Sequence, residues 1–159
     1  MGLPFSILPL RRQLPLPSSL IEVFGVASDP RPLALPLFAS RVPAGFPSPA
    51  DDYIDQKLDL NTHLVEHPAA TFFTRVSGHS MRDAGIHDGD LLVVDRALEP
   101  QDGRIVIAAV NGELTVKRLR IRKGQVWLMP EHPDYKPLLI TEGLDCVIWG
   151  VVTRVIHAV

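Results

Sequence analysis

The chain has 159 residues, 46% of them hydrophobic and 21% charged, with a net charge of −2 at pH 7. That is enough for a domain with its own core, and the near-balanced charge makes no global electrostatic case for binding nucleic acid or a membrane surface. A single cysteine, Cys146, excludes an internal disulfide and fits a reducing compartment.

The opening stretch, residues 1–20, is apolar and interrupted by proline, and its charges, Arg11 and Arg12, follow the apolar part. An export signal has the reverse order. The segment therefore reads as an extension, or as translation from an early start codon. No run of about 18 apolar residues is present to span a membrane. Residues 1–50 hold 10 of the 15 prolines. Proline removes amide donors and blocks long helices. The expected organisation is a flexible, proline-rich arm over 1–50 and a β-rich domain over 51–159. Three packed helices do not fit in such an arm, so a helix-turn-helix DNA reader is not expected there.

Between Asp52 and Glu66, the apolar residues Ile54, Leu58, Leu60 and Leu64 allow one short helix, started near Asn61 and stopped before Pro68. Beyond Pro68 the pattern is β. Runs at 71–76, 91–95, 104–110, 113–119, 125–129, 138–140 and 147–155 read as about seven strands separated by turn signals, which predicts a mainly β fold. Asn111-Gly112 predicts a two-residue hairpin turn with positive φ at both positions. With that turn, Val110 faces Glu113 and Lys117 faces Val106, and Thr115 and Leu119 share the face of Lys117. The partner run, 105–110, is apolar at every position, the mark of a strand buried on both faces. Lys117 is thus expected on a strand in apolar surroundings, where burial disfavours the ammonium and lowers the pKa.

Upstream, Ser77-Gly78-His79-Ser80-Met81 reads as a tight turn of small residues. A serine hydroxyl needs a base to become a nucleophile. Lysine serves as that base only when its amine is neutral, which its unperturbed pKa of about 10.4 forbids in water. Each signal is weak alone, since Gly-Ser turns are common and most lysines beside a hairpin snorkel to water. Together they make Ser80 and Lys117 a candidate nucleophile and base.

Other residues read more plainly. His63-Leu64-Val65-Glu66-His67 has the H-x-x-E-H spacing of some zinc proteases, but Pro68 cuts the helix that spacing needs and no third ligand motif follows. These are expected to be exposed polar residues, and no metal or cofactor is expected. Asp88, Asp90 and Asp95 read as turn residues around Gly89, His132 and His157 as surface residues, and Cys146 as a buried thiol.

Several linked stretches go further. They are Gly45-Phe46-Pro47-Ser48-Pro49-Ala50, Leu58-Asp59-Leu60-Asn61, Ser77-Gly78-His79-Ser80-Met81, the run from Gly85 to Asp95, and the run from Ile105 to Leu119. On these the chain resembles the LexA/UmuD group of self-cleaving Ser-Lys peptidases, from about residue 35 to the C-terminus. The first 30 or so residues have no counterpart, and the lack of a DNA-reading domain sets the chain apart from the repressor branches. The resemblance implies a compact multi-stranded LexA-like peptidase fold, with Ser80 as nucleophile, Lys117 as general base and Ala44–Gly45 as the scissile bond. Backbone N–H groups at His79 and Ser80 are the candidates for an oxyanion hole. It also implies an SOS role. A RecA filament on single-stranded DNA would stimulate the cut, and the trimmed form would serve a UmuC-type Y-family DNA polymerase in error-prone lesion bypass. A homodimer in the bacterial cytoplasm is implied as well, without direct sequence-specific DNA binding or membrane contact. The rival expectation is a non-catalytic subunit that binds polymerase or filament and carries a vestigial dyad.

Overall fold

The computed structural model describes residues 2–7, 23–27, 29–38, 44–45 and 54–159. Backbone contacts divide these into two units, one made of residues up to Val26 together with His67–Val159, the other of Ala27–Glu66.

In the first unit, nine strands form one sheet. They are β1 (Ser6–Ile7), β2 (Val23–Gly25), β5 (Thr71–Arg75), β6 (Leu91–Asp95), β7 (Ile105–Val110), β8 (Glu113–Arg122), β9 (Gln125–Met129), β10 (Leu138–Ile140) and β11 (Cys146–Ile156). The order is β10-β9-β8-β7-β11-β6-β5-β2, all antiparallel, with β1 added parallel to β11. In the second unit, β3 (Ala34–Phe38) pairs antiparallel with β4 (Ile54–Asp59), which runs into a single helical turn, α1 (Leu60–Leu64). The fold is mainly β, as the turn spacing predicts.

The β7–β8 hairpin follows from its turn. Asn111 (φ 49°) and Gly112 (φ 83°) both sit in the left-handed region, which a two-residue turn matched to strand twist requires. The register is the one the turn chemistry predicts, Val110 opposite Glu113 and Val106 opposite Lys117. Strand β8 runs beyond its predicted end at 119 because a second tight turn, Lys123-Gly124 (φ 50° and 75°), carries it into β9. Helix α1 is shorter than the apolar spacing of 52–66 allows. Asp59 accepts the Asn61 N–H at 3.0 Å and caps the turn there, and the residues before it extend as β4.

Alternation along the strands separates two buried clusters. Ile107 and Trp149 face one, with Phe72, Met81, Ile86, Leu92 and Val94. Val106, Ala108, Ile148 and Val151 face the other, with Leu119, Val126 and Leu128. Strand β7 is therefore buried on both faces. Strand β11 pairs first with β7 and then with β6, and its register shifts between Ile148 and Gly150 and again between Val152 and Arg154. Gly150 leaves room for this crossing. A Cβ there would lie 2.8 Å from Val94 Cγ1 and 3.0 Å from the Asp95 carbonyl oxygen. Gly150→Ala is expected to cost about 1–3 kcal/mol by overpacking, read as a lower urea midpoint at unchanged slope.

Candidate active site

Ser80 sits at the rim of the first cluster on a loop, 76–90, that is closed at its neck. The Val76 N–H donates to the Asp90 carbonyl (2.8 Å) and the Gly89 N–H donates to the Val76 carbonyl (2.9 Å). Gly78 adopts φ 97°, and its N–H donates to Asp88 Oδ1 at 2.7 Å. Met81 and Ile86 are buried in the cluster and hold the loop down. Each such side chain contributes about 1.5–3 kcal/mol of apolar burial. Glu131 ties the far side, its N–H donating to the Ser80 carbonyl and its own carbonyl accepting the Asp83 N–H, both at 2.8 Å. Glu131 is in turn paired with the Arg118 guanidinium, which also donates to the Gly103 carbonyl at 2.7 Å.

Lys117 reaches Ser80 from β8. Its Nζ lies 2.8 Å from Ser80 Oγ, 2.9 Å from Thr115 Oγ1 and 3.0 Å from the Val116 carbonyl oxygen. The amine donates to Thr115 Oγ1 and to the Val116 carbonyl, and stands within hydrogen-bond reach of the Ser80 hydroxyl. Burial lowers the Lys117 pKa from the ordinary lysine value, and no carboxylate among the described residues opposes that shift. The sequence points to the Ser80–Lys117 pair but not to Thr115 as a partner of the amine. Its signal was its place two residues before Lys117 on a strand, which puts both side chains on one face.

Open space adjoins each member of the pair. A cavity of about 170 Å³ is lined by Thr74, Val76, Ser80, Leu92, Ile107 and Leu114. A wider groove beside Lys117 is lined by Glu113, Leu114, Thr115, Leu128 and Lys136. Next to the hydroxyl, the N–H groups of His79 and Ser80 meet no acceptor among the described residues. A serine hydroxyl, a partly buried lysine amine, two backbone N–H groups and a groove are thus brought together.

The comparison with known proteins decides the family. The Peptidase S24-like family matches residues 36–153. The chain belongs to this family. It is 52% identical to the protein SamA of Salmonella typhimurium strain LT2 over 134 residues, which cover 83% of this chain and 93% of SamA. It is 54% identical to the protein ImpA of Escherichia coli over 123 residues, 77% of this chain and 83% of ImpA. It is 45% identical to the LexA repressor of Acidithiobacillus ferrooxidans over 126 residues, 77% of this chain but 60% of the repressor. Within the Peptidase S24-like family the chain is a UmuD-type protein.

The remaining sequence candidates divide. Ala44 and Gly45 are exposed, in a bend of the second unit, and a Cβ on Gly45 would meet nothing within 4 Å. Cys146 is buried, and burial together with Asp145 pushes its thiol up to about 11, which removes it as a nucleophile at neutral pH. Helix α1 ends at Leu64, so His63 and His67 do not share a helical face. His67 Nδ1 instead lies 2.6 Å from Asp95 Oδ2. Asp90 and Asp95, read as turn residues, are buried. His132, read as a surface residue, has a side chain only 8% exposed and stacks edge-on with Tyr135. No described helix is long and apolar enough to cross a membrane.

Proposed function

We propose that this UmuD-type protein is a self-cleaving serine endopeptidase of the bacterial SOS response that cuts its own Ala44–Gly45 bond. The observation that carries the reading is the 2.8 Å contact between Lys117 Nζ and Ser80 Oγ, with the amine desolvated. Lys117 takes the Ser80 proton as Oγ attacks the Ala44 carbonyl carbon. The N–H groups of His79 and Ser80 receive the developing oxyanion. The Lys117 ammonium then passes its proton to the Gly45 nitrogen, and the peptide C–N bond breaks. Water, activated by the neutral amine, hydrolyses the Ala44 ester. Two small residues at the cut suit a groove that takes extended backbone.

In functional terms the chain reads as an arm over 1–50 that carries the cut and a peptidase domain over 51–159. The cut would separate the segment bearing β1 and β2 from the sheet they join. β2 pairs with β5, so its loss would leave β5 backbone groups open at a sheet edge, a ready site for a partner. That partner, by family likeness, is a UmuC-type Y-family polymerase in error-prone lesion bypass. The promoter of cleavage is a RecA filament on single-stranded DNA. The protein acts as a cytoplasmic homodimer.

The test is incubation of the purified protein at neutral pH with and without that filament, followed by intact-mass measurement. Fragments 1–44 and 45–159 are expected, formed faster with the filament. Binding of filament or polymerase without any fragment would favour the non-catalytic reading. Thr115→Val keeps the side-chain shape but removes one acceptor from the amine. A net hydrogen bond of about 0.5–1.5 kcal/mol translates to a rate roughly 2- to 10-fold lower, measured by the same assay.

A further inference from the structure

Away from the Ser80–Lys117 pair, the carboxylate of Asp90 faces two imidazoles. His157 Nδ1 lies 2.6 Å from Asp90 Oδ1, and His87 Nδ1 lies 3.7 Å from Asp90 Oδ2. The Asp90 side chain is 3% exposed, while His87 and His157 are 47% and 48% exposed. The two rings stand 5.0 Å apart, inclined by 45°. One ligand-capable atom from each of the three residues lies within 4.8 Å of the other two. The His87 backbone N–H donates to Asp90 Oδ2 at 2.7 Å and fixes the carboxylate, as outer partners do for metal ligands. Burial pushes the Asp90 carboxyl up, but the His87 N–H and the His157 imidazole outweigh it and hold it below the usual carboxylate value.

From this geometry we propose that His87, Asp90 and His157 form a binding site for a divalent transition metal of the zinc type. Imidazole nitrogens with one carboxylate oxygen suit that class of ion. Three protein ligands leave a fourth position for water. With metal–ligand bonds of roughly 2.0–2.2 Å, ligand atoms of a tetrahedral site stand roughly 3.3 Å apart. Rotation of two half-exposed imidazoles closes that distance, while the buried carboxylate stays in place. The ion takes the place of the direct Asp90–His157 contact.

The position gives the site a consequence. The Asp90 carbonyl accepts the Val76 N–H at the neck of the Ser80 loop, and His157 follows directly on β11. A bound ion staples the end of β11 to the loop that carries Ser80. Sequence spacing alone conceals this cluster, because Asp90 and His157 are 67 residues apart.

The test is titration of the purified, untagged full chain with Co²⁺ alone, read by its visible ligand-field absorption and checked by calorimetry. Saturable binding of one equivalent is expected. His87→Ala and His157→Ala, both at half-exposed positions, are expected to weaken it by at least roughly tenfold with unchanged circular dichroism. His63→Ala is expected to leave it unchanged. Absence of saturable binding to the unaltered chain would overturn the proposal, and so would an affinity unchanged in either His87→Ala or His157→Ala.

Discussion

Lys117→Met is expected to lower the rate of self-cleavage by about 10²–10⁴-fold, the range that a positioned general base contributes. Methionine keeps most of the side-chain volume and removes the amine, so the effect reads the base and not the packing. Ser80→Ala is expected to abolish the reaction. The double variant is expected to be no worse than Ser80→Ala alone, because residues that act as one unit lose their joint effect when either is removed. Folding provides an independent readout. Burial lowers the Lys117 pKa, so folding gives up part of the solvation that the ammonium keeps in the unfolded chain at neutral pH. Lys117→Met is therefore expected to melt higher than the unaltered chain while failing to cut itself. A variant that lost activity through misfolding would melt lower.

The second large effect is the dependence on pH. Only the neutral amine accepts the Ser80 proton, so the rate is expected to rise tenfold per pH unit below the Lys117 pKa and to level off above it. That pKa lies below the ordinary lysine value of 10.5, so the plateau is reached at a lower pH than a solvated lysine would permit. Stability follows with a definite sign. Between the lowered folded pKa and the ordinary unfolded pKa, the unfolded chain binds the extra proton, so stability rises with pH across that window. It is lost again as pH falls through the folded pKa. Cleavage rates by gel densitometry and urea midpoints over the same pH series are expected to move together, and Lys117→Met is expected to flatten both dependences.

Local chemistry made much of this fold legible in the chain. Asn111-Gly112 specified the β7–β8 register, and the unbroken apolar run 105–110 specified a strand buried on both faces. Those two features place Lys117 opposite Val106 and partly buried. What local pattern does not carry is pairing between distant segments. β1 against β11 and β2 against β5 join runs of two and three residues to strands far along the chain, too short to stand out among the prolines. Strand β11 divides its pairing between β7 and β6 through two register shifts, which periodicity alone does not reveal.

The site was legible where residue chemistry, and not contact geometry, marks a role. Ser80 in its turn and Lys117 on its strand stood out as residue types that need each other chemically. The supports of Ser80 did not. Asp88 bonds Gly78 across the loop, and Glu131 ties both Ser80 and Asp83 from beyond β9. Asp90 looked like a turn residue because it follows Gly89, yet the fold buries it and brings His157 against it. Burial and long-range hydrogen bonding decide these roles, and neither is written in the spacing of a single segment.

The measurement that bears most directly on the Ser80–Lys117 assignment is the intact mass of the purified chain after incubation at alkaline pH with no partner present. The unaltered protein is expected to yield fragments 1–44 and 45–159, while Ser80→Ala and Lys117→Met stay whole under the same conditions. Formation of the same two fragments at the same rate in either variant would contradict the assignment.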